Sequence, residues 1–529
     1  MRRPVSLLLA VPACHLALAS PAAAGSAAAE PSEPGVAEKG APVPRSSEPV
    51  WQPPLDAPLP PTEPFAPGEP EPGAAPQAPE VNRISEPPQD TIASDTERPR
   101  PDYDGLSEPT TAGDVALWVP RVLLSPLYLV SEFVVRRPLG FIVTTAEEHH
   151  WPAILVDFFT FGPDRNAGII PTGIIDFGLR PSVGVYFFWN EFLAHNNALR
   201  ARAATGGHDW WWFQLTDRLE VHPGHHIALR GELSTRPDRV FTGLGPSTTD
   251  TEYRFGERWV EGGLGYTAEL WASSTFESFA AVRDVRFDPR DRCCGDPSLQ
   301  RALDRGVIAE PAGLADGYAL FRHGLVATLD TRPSRGPEGP ILGENFVAPP
   351  GSGVKLELRA EHAGGLREES GGGRVHFLRY GATLGGFVDL TARQRVIGLQ
   401  LITDFADPVG DAPAIPFTEL ISLGGDRPLR GFLPGRLRDR SALAARFSYS
   451  WPVWVWVDGA VHYSVGNVFG EHLDGFDPEL LRSSFGIGLQ STGTRDHVFE
   501  VLVAAGTETF QDGGAVENLR LVFGATSGF

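Results

Sequence analysis

Cysteine is scarce in this chain of 529 residues: it occurs at Cys14, Cys293 and Cys294 and nowhere else. Cys14 lies near the start, and the other two are adjacent, where a bond between them would strain the intervening peptide. No disulfide framework and no cysteine zinc site follows from such a set. Positive charge is short as well, with 45 Lys and Arg against 66 Asp and Glu and a net charge of −21. That balance excludes the basic footprint of a nucleic-acid binder. It suits a wall whose inner face and loops are charged while its outer face is apolar. Catalytic signatures are missing too: there is no Gly-x-Ser-x-Gly elbow and no His-Glu-x-x-His helix. The densest histidine group, His222-Pro223-Gly224-His225-His226, reads as a turn, since adjacent strand side chains point apart. No enzyme activity, cofactor or metal is expected.

What is present divides the chain unevenly. Residues 1–24 read as a secretory signal: Arg2 and Arg3 begin it, Val5 to Ala13 are apolar, and Ala22-Ala23-Ala24 offers a cleavage site. Residues 25–112 are rich in Pro, Ala, Glu and Ser, as in Trp51-Gln-Pro-Pro-Leu-Asp-Ala-Pro. Too little apolar surface is available there to offset the entropy of ordering, so this segment is expected to be a disordered linker. Residues 113–160 are apolar but broken by Pro120, Arg121, Pro126, Glu132 and Pro138. Proline and charge make a lone membrane-spanning helix costly there, and short amphipathic helices are expected instead.

From 161 to 529 the period falls to two. Val354, Leu356, Leu358 and Ala360 alternate with Lys355, Glu357, Arg359 and Glu361. Near the end, Leu519, Leu521, Phe523 and Ala525 alternate with Asn518, Arg520 and Thr526, and the last residue is Phe529. Segments of this length with apolar and polar faces predict an all-β fold, a transmembrane antiparallel β-barrel. About 360 residues at roughly 22 per strand and turn give about 16 strands. The aromatic groups Trp210-Trp211-Trp212, Tyr186-Phe187-Phe188-Trp189 and Trp451 with Trp454 and Trp456 are expected at the membrane interfaces. Cys293 to Leu314 breaks the alternation, and Leu299 to Arg305 within it predicts a short helix in an extracellular loop.

One loop stands out among these strands. It runs Gly424-Gly425-Asp426-Arg427-Pro428-Leu429-Arg430-Gly431-Phe432, followed by Pro434-Gly435-Arg436-Leu437-Arg438-Asp439. Glycine suits places where a loop backbone meets a wall, and a planar guanidinium can hold two acceptors at once. In this setting Leu429-Arg430-Gly431-Phe432 resembles the sixth-loop motif of the BamA/TamA-type outer-membrane assembly-factor superfamily, the bacterial surface antigen family of barrels. Phe241-Thr242-Gly243-Leu244-Gly245, Asp330-Thr331-Arg332 and Gly486-Ile487-Gly488-Leu489 are further echoes.

The resemblance implies a bacterial outer-membrane barrel that aids insertion or passage of protein or lipid. The alternative is a passive pore or structural barrel gated by the loop at 424–440. Gly425, Asp426, Leu429, Arg430, Gly431 and Phe432 would form the loop motif. The family's Arg is thought to meet an aspartate on a following strand, but Ser464 stands at that position, which leaves Asp458 and Glu500 as carboxylate candidates. Leu521, Phe523 and Phe529 would be the signal read by the host barrel-assembly machinery. The implied partners are outer-membrane lipid, that machinery, and unfolded outer-membrane protein or lipid clients. Nothing between Gly25 and Asn166 matches the family's periplasmic POTRA domains, so a POTRA-less member is expected.

Overall fold

The computed structural model describes residues 158–527 with breaks at 163–164, 249–250, 334–350, 369–372, 392–393, 411, 413, 455–456 and 492–497, together with residues 133, 137, 141 and 145. The signal, the Pro-rich linker, nearly all of the amphipathic segment, the question of POTRA domains, and Phe529 lie outside the described residues.

Alternation becomes strands over the whole of the remaining chain. They are β1 Ala167–Asp176, β2 Ser182–Asn190, β3 Asn197–Gly207, β4 Trp210–His222, β5 His225–Phe241 and β6 Tyr253–Trp271. Then come β7 Ser274–Asp288, β8 Tyr318–Asp330, β9 Gly353–Gly365, β10 His376–Asp389 and β11 Val396–Pro408. The last five are β12 Ser441–Trp454, β13 Val457–Phe469, β14 Arg482–Ser491, β15 Val498–Thr509 and β16 Val516–Ser527. Each pairs antiparallel with the next, and β16 returns to β1, which closes a barrel of 16 strands.

The two faces obey the period. On the outside, Leu399 is 62% exposed and Leu519 73%, whereas the inward Arg482 and Arg520 are 3% and 4% exposed. Apolar side chains outside and ion pairs inside are the arrangement that lipid demands of a wall made of strands. No helix among the described residues is long and apolar enough to cross a membrane, and the strands do the crossing.

Two expectations are corrected by this geometry. The aromatic runs do not stand at the interface as blocks. Trp211 is half exposed, but Trp210 is buried and Trp212 donates its indole N–H to Glu232 Oε1 at 2.7 Å. Likewise Trp189 faces outward while Tyr186 is buried. Adjacent strand residues take opposite faces, so a run of aromatics must divide between lipid and lumen. The second correction concerns Cys293 and Cys294, which are bonded to each other. Cys294 has a φ of 65° and Gly295 a φ of 92°, a tight turn that makes the pairing of neighbours possible.

Loop lengths distinguish the two ends. Turns at 223–224 and 272–273 lie at one end, together with the connection at 331–352, most of which is outside the described residues, while 242–252, 289–317 and 409–440 extend from the other. Long loops mark the extracellular end of such barrels. The loop at 289–317 contains the expected helix, α1 Leu299–Asp304. The loop after β11, at 409–440, is the sixth on that end and folds into the barrel. Its strands Ile421–Leu423 and Leu437–Asp439 pair as a small hairpin. Phe417 packs against Phe241, Phe255 and Phe287 with ring centroids 5.2, 5.2 and 5.1 Å away. Leu429, Phe432 and Leu437 join the same buried cluster as Phe377 and Leu320 of the wall. Leu299 and Ala302 of α1 belong to the same cluster.

Candidate functional site

The loop motif owes its shape to glycine. Gly424 and Gly425 have φ of 100° and 69°, and Gly425 donates its N–H to the Phe432 carbonyl at 2.8 Å. This narrow turn carries Arg430 to the inner wall. Gly431 lies flat on β15: a Cβ there would stand 2.2 Å from the Ala505 carbonyl. Its N–H donates to Ser484 Oγ at 2.8 Å. Gly506 makes room in turn for Phe432, whose ring would be 2.6 Å from a Cβ at that position. Two glycines on opposite sides of one contact let loop and wall touch backbone to backbone.

Arg430 meets Glu500 of β15 in a two-pronged pair, with Nη1 donating to Oε1 and Nη2 to Oε2, both at 2.7 Å. Asp426 stands 3.7 Å from the same guanidinium. Of the other candidates, Ser464 is fully buried, and its hydroxyl makes no hydrogen bond among the described residues. Asp458 is buried on β13, opposite Pro452 and Gln490. The carboxylate therefore comes from a strand two further along the wall than the one carrying Ser464.

Several anchors were not singled out from the sequence. Arg520 of β16 donates from Nε and Nη2 to the two oxygens of Asp176 on β1, at 2.9 and 2.7 Å. Its Nη1 donates to the carbonyls of Gly425 and Arg430, at 2.7 and 3.2 Å. Arg520 thus joins the last strand, the first strand and the loop. Arg436 binds Thr248 at 2.5 Å and pairs with Glu517, which also takes Arg482 Nη1 at 2.6 Å. Thr242 and Gly245, in one of the echo segments, hold the carbonyls of Arg436 and Arg438 at 2.6 and 3.1 Å. Alternation places Arg520 and Arg436 in the interior or a loop, but gives no sign of what each will meet.

Glu419 secures the other side of the loop. It accepts from Tyr318 Oη at 2.8 Å and stands 3.2 Å from Arg283 and 3.1 Å from Arg379. Burial alone would raise its carboxyl pKa, but Arg283, Arg379 and Arg322 around it win and hold it well below the usual carboxylate range.

Among the described residues, strands β16 and β1 meet over three register pairs, Val522–Asp176, Phe523–Ile175 and Gly524–Ile174, and the Phe177 N–H donates to the Leu521 carbonyl at 3.0 Å. Neighbouring interfaces run the length of their strands. Gly524, with φ of 135°, permits the approach, since a Cβ would stand 2.0 Å from the Gly173 carbonyl. Thr160–Phe161, just before the barrel, pairs with Gly168 and Ala167 of β1. Leu521 and Phe523 are on the outer face of β16, and the Phe523 ring meets Phe499 edge-on at 5.3 Å.

Among curated proteins none matches this chain. Solved structures similar to it include BamA from Haemophilus ducreyi lacking POTRA domains 1–3, at 13% identity and a TM-score of 0.45, covering 68% of this chain and 70% of that one. CdiB from Acinetobacter baumannii is 10% identical with a TM-score of 0.41, covering 68% and 59% of the two chains. CdiB from Escherichia coli is 13% identical with a TM-score of 0.41, covering 67% and 62%. This chain therefore spans less than two thirds of either CdiB chain. Residues 344–493, which contain the motif loop and its flanking strands, match the Omp85 superfamily domain.

Proposed function

We propose that this barrel aids the insertion or passage of protein or lipid across the outer membrane by opening between β1 and β16. The observation that carries the proposal is the contrast at that seam: three register pairs join two strands whose other edges are paired along most of their length. Backbone of β1 and β16 that has no strand partner at the seam among the described residues can template an incoming strand, and Thr160–Phe161 occupies part of the β1 edge. Arg520 ties the seam to the inward-folded loop, so that loop position and seam closure share one guanidinium. Arg430 and Glu500 act as the latch that keeps the loop against β15. The loop packed against the inner wall in a buried cluster speaks against a passive pore as the main role. Outer-membrane proteins or surface lipids are the clients, and the host barrel-assembly machinery inserts the protein itself.

The test is a reversible lock. Ile175→Cys with Phe523→Cys places two thiols on opposed, outward-facing register positions of the seam. Cells carrying only this version should lose outer-membrane proteins or surface lipids under oxidation and regain them on reduction, relative to the parent treated identically. Unchanged envelope composition with the crosslink formed defeats the proposal. Altered solute uptake with unchanged composition would favour the pore.

A further inference from the structure

Many arginines of the inner wall are paired with carboxylates. Arg254, Arg283, Arg322, Arg332, Arg379 and Arg482 each have a carboxylate within 3.2 Å. Three arginines at the extracellular end differ. Arg292, Arg301 and Arg305 have no hydrogen-bonded or ion-paired side-chain partner among the described residues, and all three border one cavity of about 870 Å³. It lies between the loop at 177–181, the loop at 242–252 and the loop that holds α1.

The cavity is held in shape by its surroundings. Helix α1 buries Leu299 and Ala302 in the plug cluster, with Leu303 and Ile308 packed against it. Arg301 and Arg305, four residues apart, therefore share the opposite face. The floor segment is fixed by Arg254, whose N–H donates to the Pro297 carbonyl at 2.9 Å. The same residue's Nε and Nη2 hold Asp296 Oδ2 at 2.8 and 2.6 Å. Arg254 Nη2 also pairs with Glu252 at 2.8 Å, so this arginine serves two carboxylates beside the cavity. Across the cavity Arg180 is matched by Asp209 at 2.5 Å. What remains is a positive surface in a chain of net charge −21. All three are exposed, and like charges four apart on a helix repel, so an anion from outside has free access to their guanidinium groups.

We infer that this cavity binds a phosphorylated glycan, with Arg292, Arg301 and Arg305 donating to its phosphate groups. A planar guanidinium grips phosphate through two parallel hydrogen bonds, and three of them exceed what one small anion needs. The volume is that of a site for an oligosaccharide rather than a lone ion. The bonded Cys293–Cys294 pair and Pro297 give the cavity an apolar wall on which the C–H face of a sugar ring can rest. A free glycan and one attached to a lipid of the outer leaflet present the same phosphates, and the test separates the two sources. This site is separate from the seam and does not depend on the proposal made for it.

The test uses the full chain in detergent micelles with three soluble probes: a phosphorylated core oligosaccharide of lipopolysaccharide, its dephosphorylated form, and inorganic tripolyphosphate. The phosphorylated oligosaccharide should bind, and added salt should weaken it. Removing its phosphates, or making Arg301→Gln with Arg305→Gln, should weaken binding about tenfold or more. An unchanged heat-modifiable band shows that the variant folds, and Arg292→Gln alone serves if it does not. Equal affinity in parent and variants overturns the inference. So does equal binding of the dephosphorylated probe, or tripolyphosphate binding as tightly as the oligosaccharide. A second arm compares vesicles with and without intact lipopolysaccharide. Binding to the free oligosaccharide alone identifies a soluble source, and stronger binding to the loaded vesicles a membrane-held one. Binding in neither arm overturns the inference.

Discussion

Arg520 on the last strand and Asp176 on the first, 344 positions apart in the chain, form a two-pronged pair at 2.9 and 2.7 Å across the strand interface of the barrel with the fewest register pairs among the described residues. Both are nearly buried, so neither charge can turn to water if the other is removed. The pair also reaches the motif loop through the carbonyls of Gly425 and Arg430. A local loosening at the seam is therefore felt by the loop.

Arg520→Ala should destabilise the closed barrel by about 3 kcal/mol, because it strands a buried carboxylate. Asp176→Asn should act in the same direction. The double replacement should cost less than the sum, since each change removes the same partner. The temperature at which the folded band converts to the unfolded one on gels measures all three. Additive losses would mean that the two residues act independently.

The Arg430–Glu500 pair sets the loop against β15. Glu500→Gln should free the loop and raise protease cleavage at 436–440, with a loss on the order of 2 kcal/mol for the charged hydrogen bonds. Ser464→Asp in that background should recover part of the protection, because it returns a carboxylate to a buried site near the latch. Equal cleavage in the parent and in Glu500→Gln would remove the latch role from both residues.

Gly431→Ala tests the close approach. Its methyl group would stand 2.2 Å from the Ala505 carbonyl, which is backbone and cannot turn aside. The loop should lift while the barrel remains assembled, seen as loop cleavage with an intact heat-modifiable band. Protection equal to the parent's would show that the loop has another seat.

Glu419 predicts how the loop answers acid. Its folded-state pKa is depressed, so its contribution is complete above the unfolded value of about 4.3 and is lost only as pH falls towards the lower folded value. Loop protection should therefore be flat from neutral pH down to about 5 and decline only in stronger acid. Glu419→Gln should lose protection already at neutral pH. Limited proteolysis, with an acid-active protease at the low end, distinguishes the two. A drop in the parent between pH 7 and 5 would place the sensitive group elsewhere.

The sequence by itself determined the class of fold and the face of each strand residue. Period two requires that Leu519 and Phe523 point one way and Arg520 the other, and a membrane requires that the arginine point inward. It also determined where the motif loop must bend, because Gly424, Gly425 and Gly431 stand where a side chain would clash or a positive φ is needed. Only the tertiary structure decided which carboxylate each inward arginine meets. Ser464, Asp458 and Glu500 all have inward-facing positions, and choosing among them needs the stagger of neighbouring strands and the depth to which the loop descends. A two-residue period carries neither quantity. The same reason hid Asp176 from Arg520, since closing the barrel brings together strands that no local pattern relates. Trp210 and Trp212 show the period overruling composition: three tryptophans in a row suggest one girdle, and the pleat sends two of them inside. The bond between Cys293 and Cys294 depended on backbone angles that the surrounding loop imposes and that residue identity alone does not.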